Sequence, residues 1–331
     1  MTMTKDPRRF FDWAYTQDFC GSEVTTYADK ARLYAVEATF RETLHACADV
    51  GKLDDAHLGA QVRGVGLGLF RPDAIAHGKL EEALAYFARL GVRPTYCTTT
   101  SVTDQMVREV WRYQLNVASG ERMRLLDLLF RATPSILVLF TADLDVPVPC
   151  AALMADSKGE ADPAAREGWE LRSHLNSPHR IEVYMHIADE PVDVVRDGGI
   201  LLGPDAFAAA LLADRSADVT DDVLRLGEFV DREHGAAGRD CDRLDPLLRD
   251  ALAGGGHKPE GPVNRWQILR DLGATCEMYA GPGENIICHP GTDQWWERAG
   301  LLDQRFAYLS DRASRPASDC PTASAEAAGD E

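Results

Sequence analysis

The order of apolar segments predicts an α+β fold: a four-stranded antiparallel sheet of the ferredoxin-like, split βαβ kind, with mainly helical flanking regions. Three observations carry this. Between residues 64 and 200 the segments run strand, helix, strand, helices, strand, long loop, strand, helix, which is the β-α-β-β-α-β order with extra helix and loop inserted. Residues 10–55, ahead of that series, read as helix, and so does much of the chain beyond Leu202. The chain has 331 residues, 45% of them hydrophobic and 27% charged, an ordinary globular balance with room for about two domains.

Each element has its own reason. From Tyr27 to Ala46 helix formers follow one another with apolar residues at three- and four-residue spacing and no Gly or Pro, and Gly51 ends the run. Val65–Phe70 is a short apolar run stopped by Arg71-Pro72-Asp73, a buried strand entering a turn. Lys79–Leu90 is an amphipathic helix closed by Gly91. Val92–Thr99 is a second strand, which Pro94 places at an edge. Two helices are expected over Asp104–Val117 and Glu121–Arg131, then the strongest strand, Ile136–Thr141, and a last strand over Arg180–His186. Asp189 is a good N-cap for the helix that follows, with Pro191 in its first turn. The helices are expected mainly on one face of the sheet. The chain thus divides into a helical N-terminal extension (1–60), the sheet-bearing domain (61–204), a helical and mixed C-terminal region (205–310) and a disordered tail (311–331), the last rich in Ser, Ala, Asp and Glu with little to bury.

Charge removes several function classes. Thirty-five Lys and Arg against 53 Asp and Glu leave a net charge of −18, the wrong sign for coating nucleic acid or docking on an anionic membrane. A nucleotide ligand stays open, because a few local arginines can hold phosphate inside an acidic protein. No stretch approaches the ~20 apolar residues of a spanning helix. The N-terminus lacks the apolar segment of a secretory signal. The eight cysteines show no CxxC and no regular spacing, so they are expected as reduced thiols in a cytoplasmic protein.

Two patterns carry little. Gly64, Gly66 and Gly68 lie inside a strand rather than in a turn opening a helix, so a dinucleotide-binding loop fails on context and close packing against a crossing helix is expected instead. Cys276, Cys288, His289 and His257 fit no common zinc spacing, and no metal site is assigned. Trp295 and Trp296 read as core or interface.

A third constellation resembles a known family. Leu69-Phe70-Arg71-Pro72-Asp73 sits where nucleoside-diphosphate kinases carry a strand-ending K-P-D, and Lys79–Val92 follows like that family's first helix. Gly159–Arg172 matches without a gap a loop the family writes G-x-T-N-P-x-x-x-x-x-x-x-[IL]-R, and Tyr184-Met185-His186-Ile187-Ala188-Asp189 lies where it has N-x-x-H-G-S-D. The four pieces come in the family's order and cover residues 65–200. The resemblance implies a kinase-like domain over 61–204 with the family's insertions in the split βαβ sheet. It implies ATP as donor, with Mg²⁺ bound through the nucleotide phosphates, and His186 as a phosphoryl-accepting nucleophile oriented by Asp189 or a nearby carboxylate. It places Arg71, Tyr113, Lys158, Arg172 and Arg180 on the nucleotide, with Trp111 competing for the place of Tyr113. Family members assemble as tetramers or hexamers, so a homo-oligomer is allowed, although the flanking regions could replace those surfaces.

The chemistry stands without the family. Phosphoryl transfer asks for a nucleophile and for positive charge aimed at the phosphate oxygens. An imidazole is largely uncharged near neutral pH and can accept a phosphoryl group, and arginine meets phosphate with two parallel hydrogen bonds.

The departures bear on function. Arg71 replaces a lysine, and Ala155, Ala161 and Val183 stand where the family has arginine, threonine and asparagine, while Ile187-Ala188 replaces Gly-Ser. One lost transition-state donor costs on the order of 10²–10³ in rate. Either Lys158, Arg166, His179 and Arg180 have rebuilt the site for a specialised small-molecule acceptor, or the chain is a catalytically degenerate nucleotide-binding regulatory or scaffold protein. A third reading is an unrelated enzyme centred on Cys276 and His289.

Overall fold

The computed structural model describes residues 23–51, 55–142, 146–240, 246, 249–251, 264–281, 283, 285–287 and 292–316. The expectations for residues 10–22 and 317–331, and for His257, Cys288 and His289, lie outside the described residues, whereas residues 311–313, expected in the disordered tail, close the helix Arg305–Ala313. The elements in order are α1 (Ala28–Tyr34), α2 (Ala38–Gly51), α3 (Asp55–Arg63), β1 (Val65–Phe70), α4 (Pro72–Ala76), α5 (Leu80–Arg89), β2 (Val92–Thr100), α6 (Asp104–Val110), α7 (Gly120–Phe130) and β3 (Ser135–Ala142). There follow α8 (Cys150–Lys158), α9 (Leu171–His174), β4 (Met185–Ile187), α10 (Pro191–Leu202), α11 (Pro204–Leu211), α12 (Thr220–Arg239), α13 (Arg265–Thr275), α14 (Asp293–Arg298) and α15 (Arg305–Ala313).

The fold is α+β. Its sheet runs β2-β3-β1-β4 with every neighbouring pair antiparallel. Pro94 lies on the edge strand β2, where its missing N–H costs no ladder bond, and the register slips between Pro94 and Tyr96. In β1 the side chains alternate. Val65, Leu67 and Leu69 join Leu137 and Leu139 in one core, while Phe70 joins Ile136, Val138 and Phe140 in the other. Each such side chain, fully withdrawn from water, contributes about 1.5–3 kcal/mol.

Both faces of the sheet are therefore covered, which corrects the expectation of helices mainly on one face. Helices α2, α10, α11, α6, α7 and α13 bury residues with the Leu67 face, and α5, α12, α14 and α15 with the Phe70 face. The second layer was hidden because α12, α14 and α15 come late in the chain, where order alone does not say which face they cover. Gly66 does make room for a crossing helix: a Cβ there would strike Met154 of α8. That helix, Cys150–Lys158, was not expected, since seven of its nine residues are buried and it shows no amphipathic period.

The last strand is also shorter than the expected 180–186. Residues 181–184 are diverted by Asp73, which is fully buried. The Tyr184 N–H donates to Asp73 Oδ2 (3.1 Å), the Arg71 N–H donates to the Tyr184 carbonyl (3.0 Å), and Tyr184 itself takes a left-handed φ of 64°. Side-chain capture replaces the ladder until Met185. Helix α10 then begins one residue later than expected: its N-cap is Glu190, in a reciprocal capping box with Asp193, and Pro191 opens the first turn.

Helix α1 is fastened to α10 through charge. Lys30 Nζ lies 2.5 Å from Asp193 Oδ2 and 3.0 Å from Glu190 Oε2, all three side chains buried. Tyr34 donates to the other oxygen of Asp193 (2.7 Å). Beside them Glu37 accepts from Arg196 Nε (2.7 Å) and from the Tyr113 hydroxyl (2.7 Å). Among the described residues no helix is long and apolar enough to cross a membrane. Cys47, Cys97, Cys150 and Cys276 are free thiols.

Candidate functional site

His186 is the middle residue of β4 and sits opposite Leu69 of β1, so its ring emerges on the face that carries α10. There Nε2 lies 2.8 Å from Asp197 Oδ2, and the ring meets Trp111 edge-on at 4.9 Å between centroids. A carboxylate accepts from N–H, so in the neutral ring the tautomer that satisfies this contact carries its proton on Nε2 and its lone pair on Nδ1. The carboxylate that orients the imidazole is thus Asp197, two turns into α10. Asp189, the residue expected to do so, instead pairs closely with Lys158.

The imidazole opens on a cavity of about 450 Å³ that also gathers Arg71, Lys158, Arg172, Arg180 and Asp189. Its walls include Tyr34 from the N-terminal helices and Met278, Tyr279 and Arg305 from the C-terminal region. Tyr113 is not among its lining residues. Its hydroxyl is given to Glu37 and its ring stacks on Tyr34, while Trp111 takes the position beside the histidine.

The cations in this cavity differ in how far they are already neutralised. Arg71 donates from Nε and Nη2 to Asp73 (3.1 and 2.8 Å) and from Nη2 to the Ile181 carbonyl. It is largely a structural tie between the end of β1 and the approach to β4. Lys158 is paired with Asp189 and Arg180 with Asp162. Arg172 has no such partner. Its Nη1 donates to the Gly159 carbonyl (2.5 Å), and its Nε is buried without any hydrogen bond. Gly159 ends α8 with φ 79°, a conformation that suits glycine and turns its carbonyl towards the guanidinium. Burial first, and the nearby charges of Arg166 and Arg71 next, bring Arg172 down to about 10. Arg166 adds to this field, for its three guanidinium nitrogens go to the backbone carbonyls of Glu160, Ser177 and Ala161 and to no carboxylate. Among the described residues Arg172 thus lines the cavity without an ion pair of its own.

Asp197 and Arg122 were missed by the sequence reading, although Asp197 left a trace. Glu190, Asp193 and Asp197 recur at i, i+3 and i+7, so one face of a helix whose other polar residue is Arg196 carries three carboxylates. Buried acids in such a row need partners, and two of these partners are Lys30 and His186. Arg122, in the first turn of α7, had no motif around it.

His179, the other histidine considered for the site, is turned away. Its Nδ1 accepts from the Ile181 and Glu182 N–H groups (3.3 Å each), and Nε2 lies 3.0 Å from buried Glu182. Among the described residues no group of three His, Cys, Asp or Glu side chains is arranged to hold a metal ion.

No protein-family model matches the chain, and no curated protein does. Among solved structures, it is similar to a nucleoside diphosphate kinase family protein from Babesia bovis, with 13% identity and a TM-score of 0.35 over 48% of this chain and 98% of that one.

Proposed function

We propose that this chain is a phosphotransferase working through a phosphohistidine at His186, with a nucleoside triphosphate such as ATP as donor and a specialised small molecule as acceptor. One observation carries the reading: an imidazole held at Nε2 by Asp197 opens on the same cavity as an arginine, Arg172, that makes no ion pair among the described residues and whose buried Nε has no hydrogen bond. The motifs of residues 65–200 support it. So does the strand order β4-β1-β3-β2, which is that of the ferredoxin-like split βαβ sheet over the kinase-like stretch 61–204.

The step balances simply. The Nδ1 lone pair attacks the γ-phosphorus, an N–P bond forms, the bridging P–O bond breaks, and the nucleoside diphosphate leaves with the electron pair. Arg172, with the outer edge of Arg71, holds the phosphates, and the charge it places there offsets what builds on the equatorial oxygens. Mg²⁺ would arrive on the nucleotide phosphates rather than on protein ligands. An acceptor hydroxyl oxygen then attacks that phosphorus, the N–P bond breaks with its electron pair returning to Nδ1, and the hydroxyl proton is lost to water.

Incubation with γ-labelled ATP tests this directly. An acid-labile, base-stable label is expected on the wild-type chain and none on His186→Gln. Arg172→Ala is expected to weaken ATP binding by about 1.5–3 kcal/mol, the range for hydrogen bonds to charged groups, measured calorimetrically, with little effect on adenosine. A second reading, nucleotide binding without chemistry, has its own support. Asp189 and Asp162 already neutralise Lys158 and Arg180, and Ala155, Ala161 and Val183 present no donor side chain. ATP bound tightly with no label on His186 would favour it and overturn phosphotransfer.

A further inference from the structure

The cavity at His186 does not end at the phosphate-binding arginines. A second cavity, of about 610 Å³, adjoins it, and the two share Asp162, Arg180, Met278 and Tyr279. The Arg180–Asp162 pair is therefore a partition between two compartments. The outer one is walled by Pro178 and His179 on one side and by Ala274, Cys276 and Tyr279 of the C-terminal region on the other.

At this partition stands Arg122. It lines the inner cavity, its guanidinium lies 5.8 Å from the Tyr279 ring centroid, and it makes no ion pair among the described residues. Its position is built rather than incidental. Ser119, the N-cap of α7, accepts from the Arg122 N–H (3.0 Å) and gives its own N–H to the Met278 carbonyl (3.2 Å). The Ala280 N–H donates to the Val117 carbonyl (2.8 Å), so residues 278–280 lie antiparallel to 117–119 and hold Tyr279 over Arg122. Burial, and after it the charge of Arg180, lower the proton affinity of Arg122, with Tyr279 and Cys276 opposing. The cleft thus has two cationic poles: Arg172, hydrogen-bonded to the Gly159 carbonyl, and Arg122, which stands beneath Tyr279 with Arg180 at the partition. At the outer pole Asp162 pairs with Arg180, while Arg122 makes no ion pair among the described residues.

We infer that the acceptor is a small molecule with a second anionic group at the end remote from the reacting oxygen, held by Arg122 and Arg180 beneath Tyr279, its body reaching into the outer compartment. The inference rests on the phosphotransfer reading for the word acceptor; the two-pole ligand site does not. A ligand that spans both poles gains the effective concentration of a tethered second group. A ligand with one anionic end gains nothing.

The test uses linear alkane α,ω-bisphosphonates of graded chain length against the matching monophosphonates, titrated calorimetrically into the full chain. One chain length is expected to bind on the order of 10²-fold more tightly than its monophosphonate. Arg122→Ala and Arg172→Ala should each remove that gain while leaving the melting temperature within the scatter of wild type, and Arg122→Lys should keep part of it. The matching dicarboxylates form a second arm. If they show the gain and the bisphosphonates do not, the remote group is a carboxylate rather than a phosphate. Equal affinity of bis- and mono-anions at every length in both arms, or a gain that survives Arg122→Ala, overturns the inference. The same titrations on His186→Gln, which cannot be labelled, keep this outcome separate from that of the phosphohistidine.

Discussion

Replacing Lys30 with Ala is expected to cost about 3–5 kcal/mol of folding stability, the range for stripping one partner from a buried ion pair. The reason is what it leaves behind. Asp193 and Glu190 sit 2.5 and 3.0 Å from Nζ, and in the variant both carboxylates stay buried with no cation. The hydroxyls of Tyr34 and Thr25, 2.7 Å from Asp193 and Glu190, cannot supply a charge. The pH dependence follows with a definite sign. Burial alone would lower the proton affinity of Lys30, but Asp193, Glu190 and Asp189 together raise it well above the ordinary lysine value. Its contribution is therefore complete below pH ~10.4 and is lost only as pH rises through the higher folded value. Glu190 is the acid-side counterpart. Burial would raise it, yet Lys30 and the hydrogen bonds from Thr26 and Thr25 hold it below the usual carboxylate range. Its contribution is present above pH ~4.3 and is lost as pH falls through the folded value. In Lys30→Ala the sign inverts, because uncompensated buried carboxylates gain by taking protons, so mild acid should stabilise the variant. Urea unfolding at several pH values checks both claims. A loss under ~1 kcal/mol at neutral pH would mean that water reaches the carboxylates. The triple change Lys30→Met, Glu190→Gln, Asp193→Asn should recover much of the loss, since it removes the stranded charge along with its partner.

That network also shows where reading from sequence stops. The strand β1, the edge position of β2, the central strand β3 and the helix closed by Gly91 were legible, because each is announced by local period or by a Gly or Pro. Helix α8 was not. With nearly every residue buried, Cys150–Lys158 carries no polar face to reveal its period, and its presence is explained only by Gly66, which lets it lie against β1. The truncation of β4 was hidden for another reason. Arg180–Val183 alternates well enough for a strand, and what prevents the ladder is Asp73, more than a hundred residues earlier, taking the Tyr184 N–H. Asp73 itself was read as part of a phosphate motif. It serves as the clasp that joins Arg71 to the approach to His186.

The site divides in the same way. His186 and Arg172 were found by residue type and spacing, and they do open on one cavity. Their effective partners were not, because partnership across elements is a property of packing. Lys158 and Arg180 look free in sequence yet are paired by Asp189 and Asp162, while Arg122, without any motif, faces the cleft unpaired. For an acidic chain of net charge −18 this distinction decides function: the cations that count are those the protein's own acids leave unneutralised.

Asp197→Asn is expected to slow labelling of His186 by on the order of 10²–10⁴, the range for a lost acid–base partner or an imidazole held in the wrong tautomer, with ATP affinity nearly unchanged. The carboxylate 2.8 Å from Nε2 can only accept, so it fixes the proton on Nε2 and leaves the Nδ1 lone pair for phosphorus. An asparagine of the same shape can turn its NH₂ towards Nε2, which then accepts. The proton moves to Nδ1 and the nucleophile is lost, although the ring has not moved. Asp197→Ala, which leaves both tautomers accessible, should fall less far in rate but lose the orientation that Trp111 alone, edge-on at 4.9 Å, cannot maintain. The ordering matters more than the magnitude. If Asn is as fast as wild type, the proton is not held by Asp197. If Ala is slower than Asn, position dominates over tautomer. Arg196 adds a check on the carboxylate itself, since its Nη1 lies 3.6 Å from Asp197 Oδ1 and would favour the negative form that accepts from the imidazole. The Arg196 guanidinium is also tied to Glu37 and to the Val110 and Glu109 carbonyls, so Arg196→Lys should impair labelling less than Asp197→Asn while costing more in stability. Measuring rate and unfolding on the same two variants separates the residue that acts on the imidazole from the one that holds the helix beneath it.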